Sequence, residues 1–264
     1  MIRWLTAASC LAALTLCSAG QAGEKAPSKG EKQLAEYVAQ HKLTGGQIVS
    51  LAAPVLAKNF PDHEFFALRF RIYPVARVMP EGMKPSNIFV VSKDGKVRHL
   101  KDAKTLEGFF RADGPAAKTN AAASSIAEAW LSLSPEFIQD GFYKFEVSKE
   151  MTGTSGDGLP LSVTGRALVV AGGKGDIHAT LKFAKDGKVA EASDVVKVKP
   201  GPRPICQATK LLDPDPIVRR MAEADLLFMG LDARDYLMEQ RAKANPALRQ
   251  AIDRLWQRIQ QEGW

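Results

Sequence analysis

Cysteine is scarce in this chain of 264 residues, and two of its three cysteines, Cys10 and Cys17, fall within the first 22 positions. The third is Cys206, so a disulfide framework is excluded, as are zinc sites built from several cysteines. Histidine is nearly as sparse, with His41, His63, His99 and His178 and no HExxH, HxH or CxxC spacing among them. No G-x-S-x-G elbow is present, which removes the usual setting of a hydrolase serine. No phosphate loop is present either: Gly172-Gly173-Lys174-Gly175 leads into strand-like Asp176-Ile177-His178-Ala179-Thr180-Leu181, with no helix start to hold a phosphate. Beyond the first two dozen residues no run of about 18 apolar residues occurs, so no spanning helix is expected in the mature chain. No cofactor or metal is implied.

What is present begins with an export signal. Arg3 gives a positive start, Trp4–Leu16 is a short uncharged apolar run, and small residues lead to a cleavage site after Ala22. Export places the protein in the periplasm or outside the cell and argues against nucleic acid as a partner. Removal of residues 1–22 leaves 242 residues of formal charge +6 with Cys206 as the lone thiol. Cys206 is expected to be buried; its neighbours Pro202-Arg203-Pro204-Ile205 leave open a surface position and an intermolecular bridge.

The rest has 45% hydrophobic and 25% charged residues, an ordinary globular balance. Residues 23–30 read as a disordered tail. A first α+β unit is expected over 31–113: an amphipathic helix near Lys32–Leu43 with His41 on its apolar face, and a shorter apolar stretch Ile48–Leu56, interrupted by Pro54, as the start of a second helix. Next, Phe66, Leu68, Phe70 and Ile72 alternate with Ala67, Arg69, Arg71 and Tyr73, giving a strand with one apolar and one basic face. Asn87–Val91 and Val97–Leu100 form a hairpin about Asp94-Gly95, and a helix follows Asp102. The stretch from Asp113-Gly114-Pro115 to Asn120 reads as a linker.

A second unit over 121–200 repeats this grammar, with a helix over Ala121–Leu133 and strands near 142–147, 161–171, 176–183 and 188–198. Thr154–Gly158 reads as a mobile turn. Lys93-Asp94-Gly95-Lys96-Val97 returns as Lys185-Asp186-Gly187-Lys188-Val189, and the fold class is therefore α+β, in the style of cystatins or of the nuclear-transport-factor-like cone. From 207 to 262 the chain turns helical, with Asp215-Pro216 and Asn245-Pro246 as helix starts and Gly230 as a stop. Asp213-Pro214-Asp215-Pro216-Ile217-Val218-Arg219-Arg220 resembles the turn and second helix of a HEAT-type repeat, and Asn245-Pro246-Ala247-Leu248-Arg249 resembles the next turn. The resemblance implies stacked helices serving protein contacts. One and a half repeats fall short of the roughly three a free solenoid needs, so this segment must pack on the body, cap it, or meet a partner.

The positive charge is localised. Residues 23–120 carry 16 Lys and Arg against 10 Asp and Glu, while 121–264 is balanced. Arg69, Arg71, Arg77, Lys84, Lys93, Lys96, Arg98 and Lys101 gather around the first unit's strands, with Tyr73 beside them. Two functions remain. One is a non-catalytic binding or scaffolding module that meets another envelope protein or an anionic envelope polymer through Arg69, Arg71 and Tyr73, or through Arg219 and Arg249 at the helical end. The rival is a pocket protein holding a small ligand or a simple acid–base site, which needs a concavity joining His178 or another titratable group to a carboxylate.

Overall fold

A computed structural model describes residues 26–73, 79–156, 159–203 and 207–262. Residues 1–22, where an export signal is expected, Arg77 and Cys206 lie outside the described residues.

Helix α1, Lys29–Gln40, starts inside the expected tail. Ser28 is its N-cap, its Oγ accepting from the Glu31 N–H at 3.1 Å, and Ser28 Oγ and Gly30 N in turn donate to the Glu64 carboxylate. A carboxylate at a helix N-terminus satisfies orphan amides and meets the positive end of the helix dipole, which is why the chain orders here. The stretch 48–56 divides into strand β1, Gln47–Ser50, and helix α2, Pro54–Asn59, with Pro54 at the first turn. Ile48 and Val49 suit a strand, and Pro suits a helix start, so one apolar run serves two elements.

Strands β2 (His63–Arg69), β3 (Ser86–Ser92) and β4 (Val97–Leu100) complete an antiparallel sheet in the order β1-β2-β3-β4. Asp94-Gly95 makes the β3–β4 turn with Gly95 at φ 90°. Helix α3, Ala103–Asp113, opens with a reciprocal Asp102–Thr105 capping box. The expected apolar-in, basic-out strand is corrected: both faces of β2 are covered. Phe66, Leu68, Phe89 and Val91 pack with Leu34 of α1, while Phe65, Ile88, Val90 and Leu100 face the main core with Leu106, Phe109 and Phe110. β2 ends at Arg69, so Arg71 and Tyr73 continue as irregular chain, and His63 opens the strand rather than preceding it.

Helix α4, Asn120–Leu131, and a 3-10 turn at Ser134–Ile138 lead into the second sheet. Its strands are β5 (Lys144–Val147), β6 (Thr152–Gly156), β7 (Leu159–Ala171), β8 (Gly173–Phe183) and β9 (Val189–Pro200). They run in the order β5-β7-β8-β9, with β6 also pairing β7. The turn expected at 154–158 is a correction too: Thr152–Gly156 is strand, and 157–158 lie outside the described residues. One face packs Val163, Ala167, Ile177, Ala179 and Leu181 against Ile126 and Trp130; the other is open.

The expected linker between the units is tied to the second sheet, with Gly114 and Ala117 buried. The Ala117 N–H donates to Gly187 O at 2.8 Å and Lys188 Nζ donates to Gly114 O at 2.5 Å. Gly187, at φ 80°, sits so close to Ala117 that a Cβ would lie 2.6 Å from its carbonyl oxygen. One apolar cluster runs from Val55 and Phe110 through Trp130 to Leu181, joining both sheets.

The last segment holds α5 (Pro216–Met229), α6 (Arg234–Lys243) and α7 (Pro246–Glu262) around Leu226, Met229, Tyr236, Leu237, Leu248, Ile252, Leu255 and Ile259. Asp215 caps α5 by accepting from Ile217 N at 2.7 Å, and Asn245 caps α7 by accepting from Leu248 N at 2.9 Å. Phe142 of the body packs against this cluster. The protein is thus an α+β fold with an all-α end. Among the described residues no helix is long and apolar enough to cross a membrane.

Candidate functional site

Where the first sheet, the start of β5 and the α6–α7 pair meet, they enclose a groove of about 800 Å³. Arg69, Arg71 and Tyr73 line it. Arg69 is the last residue of β2 and its guanidinium forks onto Glu136, with Nη2–Oε1 at 2.5 Å and Nε–Oε2 at 3.1 Å. Ser86 Oγ donates to the same carboxylate at 2.6 Å. Glu136 is buried, so this charge-assisted fork fixes the groove floor and spends Arg69 on an internal partner.

Arg71 stands further out. Its Nε donates to Tyr73 O at 3.1 Å, and Nη2 lies 4.0 Å from Glu239 Oε1. Glu239 also accepts from Lys243 Nζ at 2.7 Å, so two cations share one carboxylate. Arg234, at the start of α6, makes no hydrogen bond or ion pair with the described residues, and Lys144 pairs with Asp235. The groove therefore carries positive charge beyond its own neutralisation.

One wall is aromatic. Tyr73 meets Phe142 edge-on at 5.8 Å between centroids, and Phe142 lies 6.3 Å from Tyr236. Behind it Arg203, its side chain only 8% exposed, bonds Asp140 at 2.6 Å and lies 5.1 Å over Phe142 and 4.8 Å over Tyr143. Burial raises the Tyr143 and Tyr236 pKa values; Tyr236 Oη accepts from Ala208 N at 2.8 Å, which ties α6 to the 3-10 turn Ala208–Leu212. Among the described residues that line the groove there is no Ser, Thr, Cys or His; its polar side chains are guanidinium, ammonium, carboxylate, amide and phenol groups.

Arg219 and Arg249 lie apart from the groove. Arg219 Nη1 donates back to Asp213 O and Pro214 O at 2.6 and 3.0 Å, and Arg249 Nη2 donates back to Ala244 O at 3.3 Å. Each braces the turn before its own helix. A different surface is open there: Ile217, Met221 and Phe228 on α5, with Leu231, are exposed along one side, Phe228 by 75%.

The histidines are scattered. His41 follows the end of α1, exposed and stacked on Tyr37 at 3.9 Å, which corrects its expected place on the apolar face. His63 Nε2 lies 3.9 Å from Asp113 Oδ1 and 3.5 Å from Arg98 Nη2, and burial lowers its pKa. Its neighbours diverge, Asp62 to Lys93 and Glu64 to α1. His99 stacks on Phe89 at 4.5 Å. His178 pairs with Asp176 at 2.9 Å on the open face of β8 and does not line the groove. Among the described residues no three His, Cys, Asp or Glu side chains converge as metal ligands.

Sequence reasoning placed Arg69, Arg71 and Tyr73 together but missed Glu136, Asp140, Arg234, Tyr236, Glu239 and Lys243. Charge counting gave no signal for these cations, because their segment is neutral overall. The chain matches no protein-family model, no curated protein and no solved structure.

Proposed function

We propose that the chain is an exported cell-envelope protein that works by binding, with the groove as the seat of a carboxylate-rich partner, either another envelope protein or an anionic envelope polymer. The observation that carries this is the sharing of Glu239 by Arg71 and Lys243 beside Arg234, which has no partner among the described residues. A ligand carboxylate entering there gains charge-assisted hydrogen bonds without displacing a buried pair. The charged start, apolar run and small-residue site of residues 1–22 support export. The paired arginine-braced turns at Arg219 and Arg249 support the HEAT-like reading of the C-terminal helices, which complete the groove from one side.

The test is titration of the mature protein with two polyanions, polyglutamate and polygalacturonate, followed by calorimetry at low and moderate salt. Binding of at least one is expected, weakening with salt, and Arg71→Glu combined with Arg234→Glu should weaken it at least tenfold. Unchanged affinity in the double variant, or no binding of either polymer, overturns the reading. Fractionation of the producing cells should recover the protein outside the cytoplasm, with Gly23 as its first residue by mass spectrometry; recovery only in the cytoplasm with residues 1–22 retained overturns export.

A further inference from the structure

The groove is bordered by an unfilled sheet edge. Among the described residues β1 pairs with β2 alone. The Leu51 N–H donates to Phe65 O at 2.8 Å, in step with the Val49–Ala67 and Gln47–Arg69 pairs. Bonded residues alternate along an antiparallel pair, so Ile48 and Ser50 direct their N–H and C=O groups away from the sheet. No backbone bond from elsewhere among the described residues reaches β1. The approach is unobstructed at Gly45, where a Cβ would meet nothing within 4 Å. The side chains of Gln47 and Val49 share a face with Arg69, and all three line the groove.

Resting on the groove reading, we propose that the occupant is an extended acidic polypeptide segment of a partner protein, which adds to β1 as a fifth strand of the first sheet. Its backbone satisfies Ile48 and Ser50, and every second side chain enters the groove. An added strand lies about 4.8 Å from β1 and about 10 Å from β2, a span that an Asp or Glu of the segment and Arg71 bridge together. Charge selects the segment: surplus cations at Arg71, Arg234 and Lys243 face the acidic side chains that enter the groove, and the side chains between them point to the opposite face of the sheet. β5 also borders the groove and pairs only with β7, but a register shift at Lys144/Phe145 interrupts its ladder, which leaves β1 as the regular edge. A sugar polymer has no alternating backbone donors and acceptors to match this edge.

The probe is a ten-residue peptide alternating Glu with Val, added to the full mature protein, with polygalacturonate as the contrast. Hydrogen exchange of the unmodified protein should show the Ile48 and Ser50 amides slowed at least tenfold by the peptide. Ser50→Pro removes one outward N–H and leaves the β2 pairing intact, since proline is tolerated on an edge strand with its nitrogen turned outward. It should weaken the peptide at least tenfold and leave any polygalacturonate binding unchanged. Should Ser50→Pro fail to fold, the exchange measurement decides alone. Peptide binding that depends on Arg234 but leaves both amides unprotected overturns strand addition and keeps the groove reading. Binding of polygalacturonate alone does the same in favour of a sugar polymer. Amide protection that ignores Arg71→Glu and Arg234→Glu overturns the charge selection and the groove reading with it.

Discussion

Strand β3 buries every residue from Ser86 to Val91, whereas β8 buries every second residue from Ile177 to Phe183. The two strands occupy interior places in sheets of similar antiparallel make, and what differs is the covering. The first sheet has α1 on one face and the α2–α3–α4 core on the other; the second has α4 on one face and water on the other. The comparison teaches that alternation reports a face only where one face meets solvent. It also explains where the groove lies: a sheet closed on both faces leaves its edge and strand ends open, which is where β1, Arg69, Arg71 and Tyr73 are found.

The largest expected effect separates the sheets by their outer faces. Phe89→Ala, on the α1 side of the first sheet, removes a fully buried ring and should cost about 3–5 kcal/mol. Leu181→Ala, on the covered side of the second, should cost about 2–5 kcal/mol. Urea denaturation measures both. A loss below about 1 kcal/mol for Phe89→Ala would mean that α1 does not close the first sheet, and the contrast would fail.

Each sheet also holds a half-buried titratable group, and their effects on stability have opposite signs. In the first sheet, burial and the nearby Lys101 and Lys84 push His99 down to about 4 from 6.5. The unfolded chain then takes up a proton that the folded ring refuses, so His99 contributes stability above pH 6.5 that is lost as pH falls towards 4. For a fully enclosed ring the difference would be about 3 kcal/mol; screening at a half-exposed one reduces it to about 1–2 kcal/mol. His99→Phe, which keeps the stack on Phe89, should flatten stability over that window when compared with the parent. Equal pH slopes for parent and variant would show that His99 is not held neutral by the fold.

In the second sheet, burial raises Asp194 above 3.8 even though Trp130 Nε1 donates to its Oδ1 at 2.7 Å and pulls the other way. An acid with a raised folded pKa contributes stability at low pH, and that contribution is lost as pH rises through the folded value. Asp194→Asn keeps an acceptor for Trp130 and should gain on the parent as pH climbs from 4 to 7. A variant that loses ground over that range would reverse the assigned sign.

The same contrast governs what the residues disclosed beforehand. The strands β7 and β8 are legible because their open face carries Ser162, Thr164 and Arg166, and Asp176, His178, Thr180 and Lys182, at alternate positions, and both Asp-Gly turns are legible because positive φ restricts the residue type. Spacing alone misreads β2 because Arg69 alternates with Arg71 as one basic face, whereas Arg69 bonds a buried Glu136 placed 67 residues later. No local pattern records such a partner. The groove was half legible for a related reason: Arg71 and Tyr73 lay in a visibly basic stretch, while Arg234 and Lys243 lay among acids that cancel them in any window count. α6 buries only Tyr236 and Leu237, too few to write a periodic stripe.

The smallest expected effect is the sharpest for the comparison, because it asks whether the outer face of the second sheet is free. Val195 and His178 are cross-strand neighbours there, and Val195 is 55% exposed. Val195→Thr keeps the β-branched shape that a strand favours and replaces one exposed methyl with a hydroxyl, so stability should change by less than about 0.5 kcal/mol. The same exchange on the covered side, Val163→Thr, buries an unpartnered hydroxyl beneath α4 and should cost about 1–3 kcal/mol. If both variants lose stability equally, something covers the outer face in solution as α1 covers the first sheet, and the two sheets differ in the identity of their covers rather than in their number.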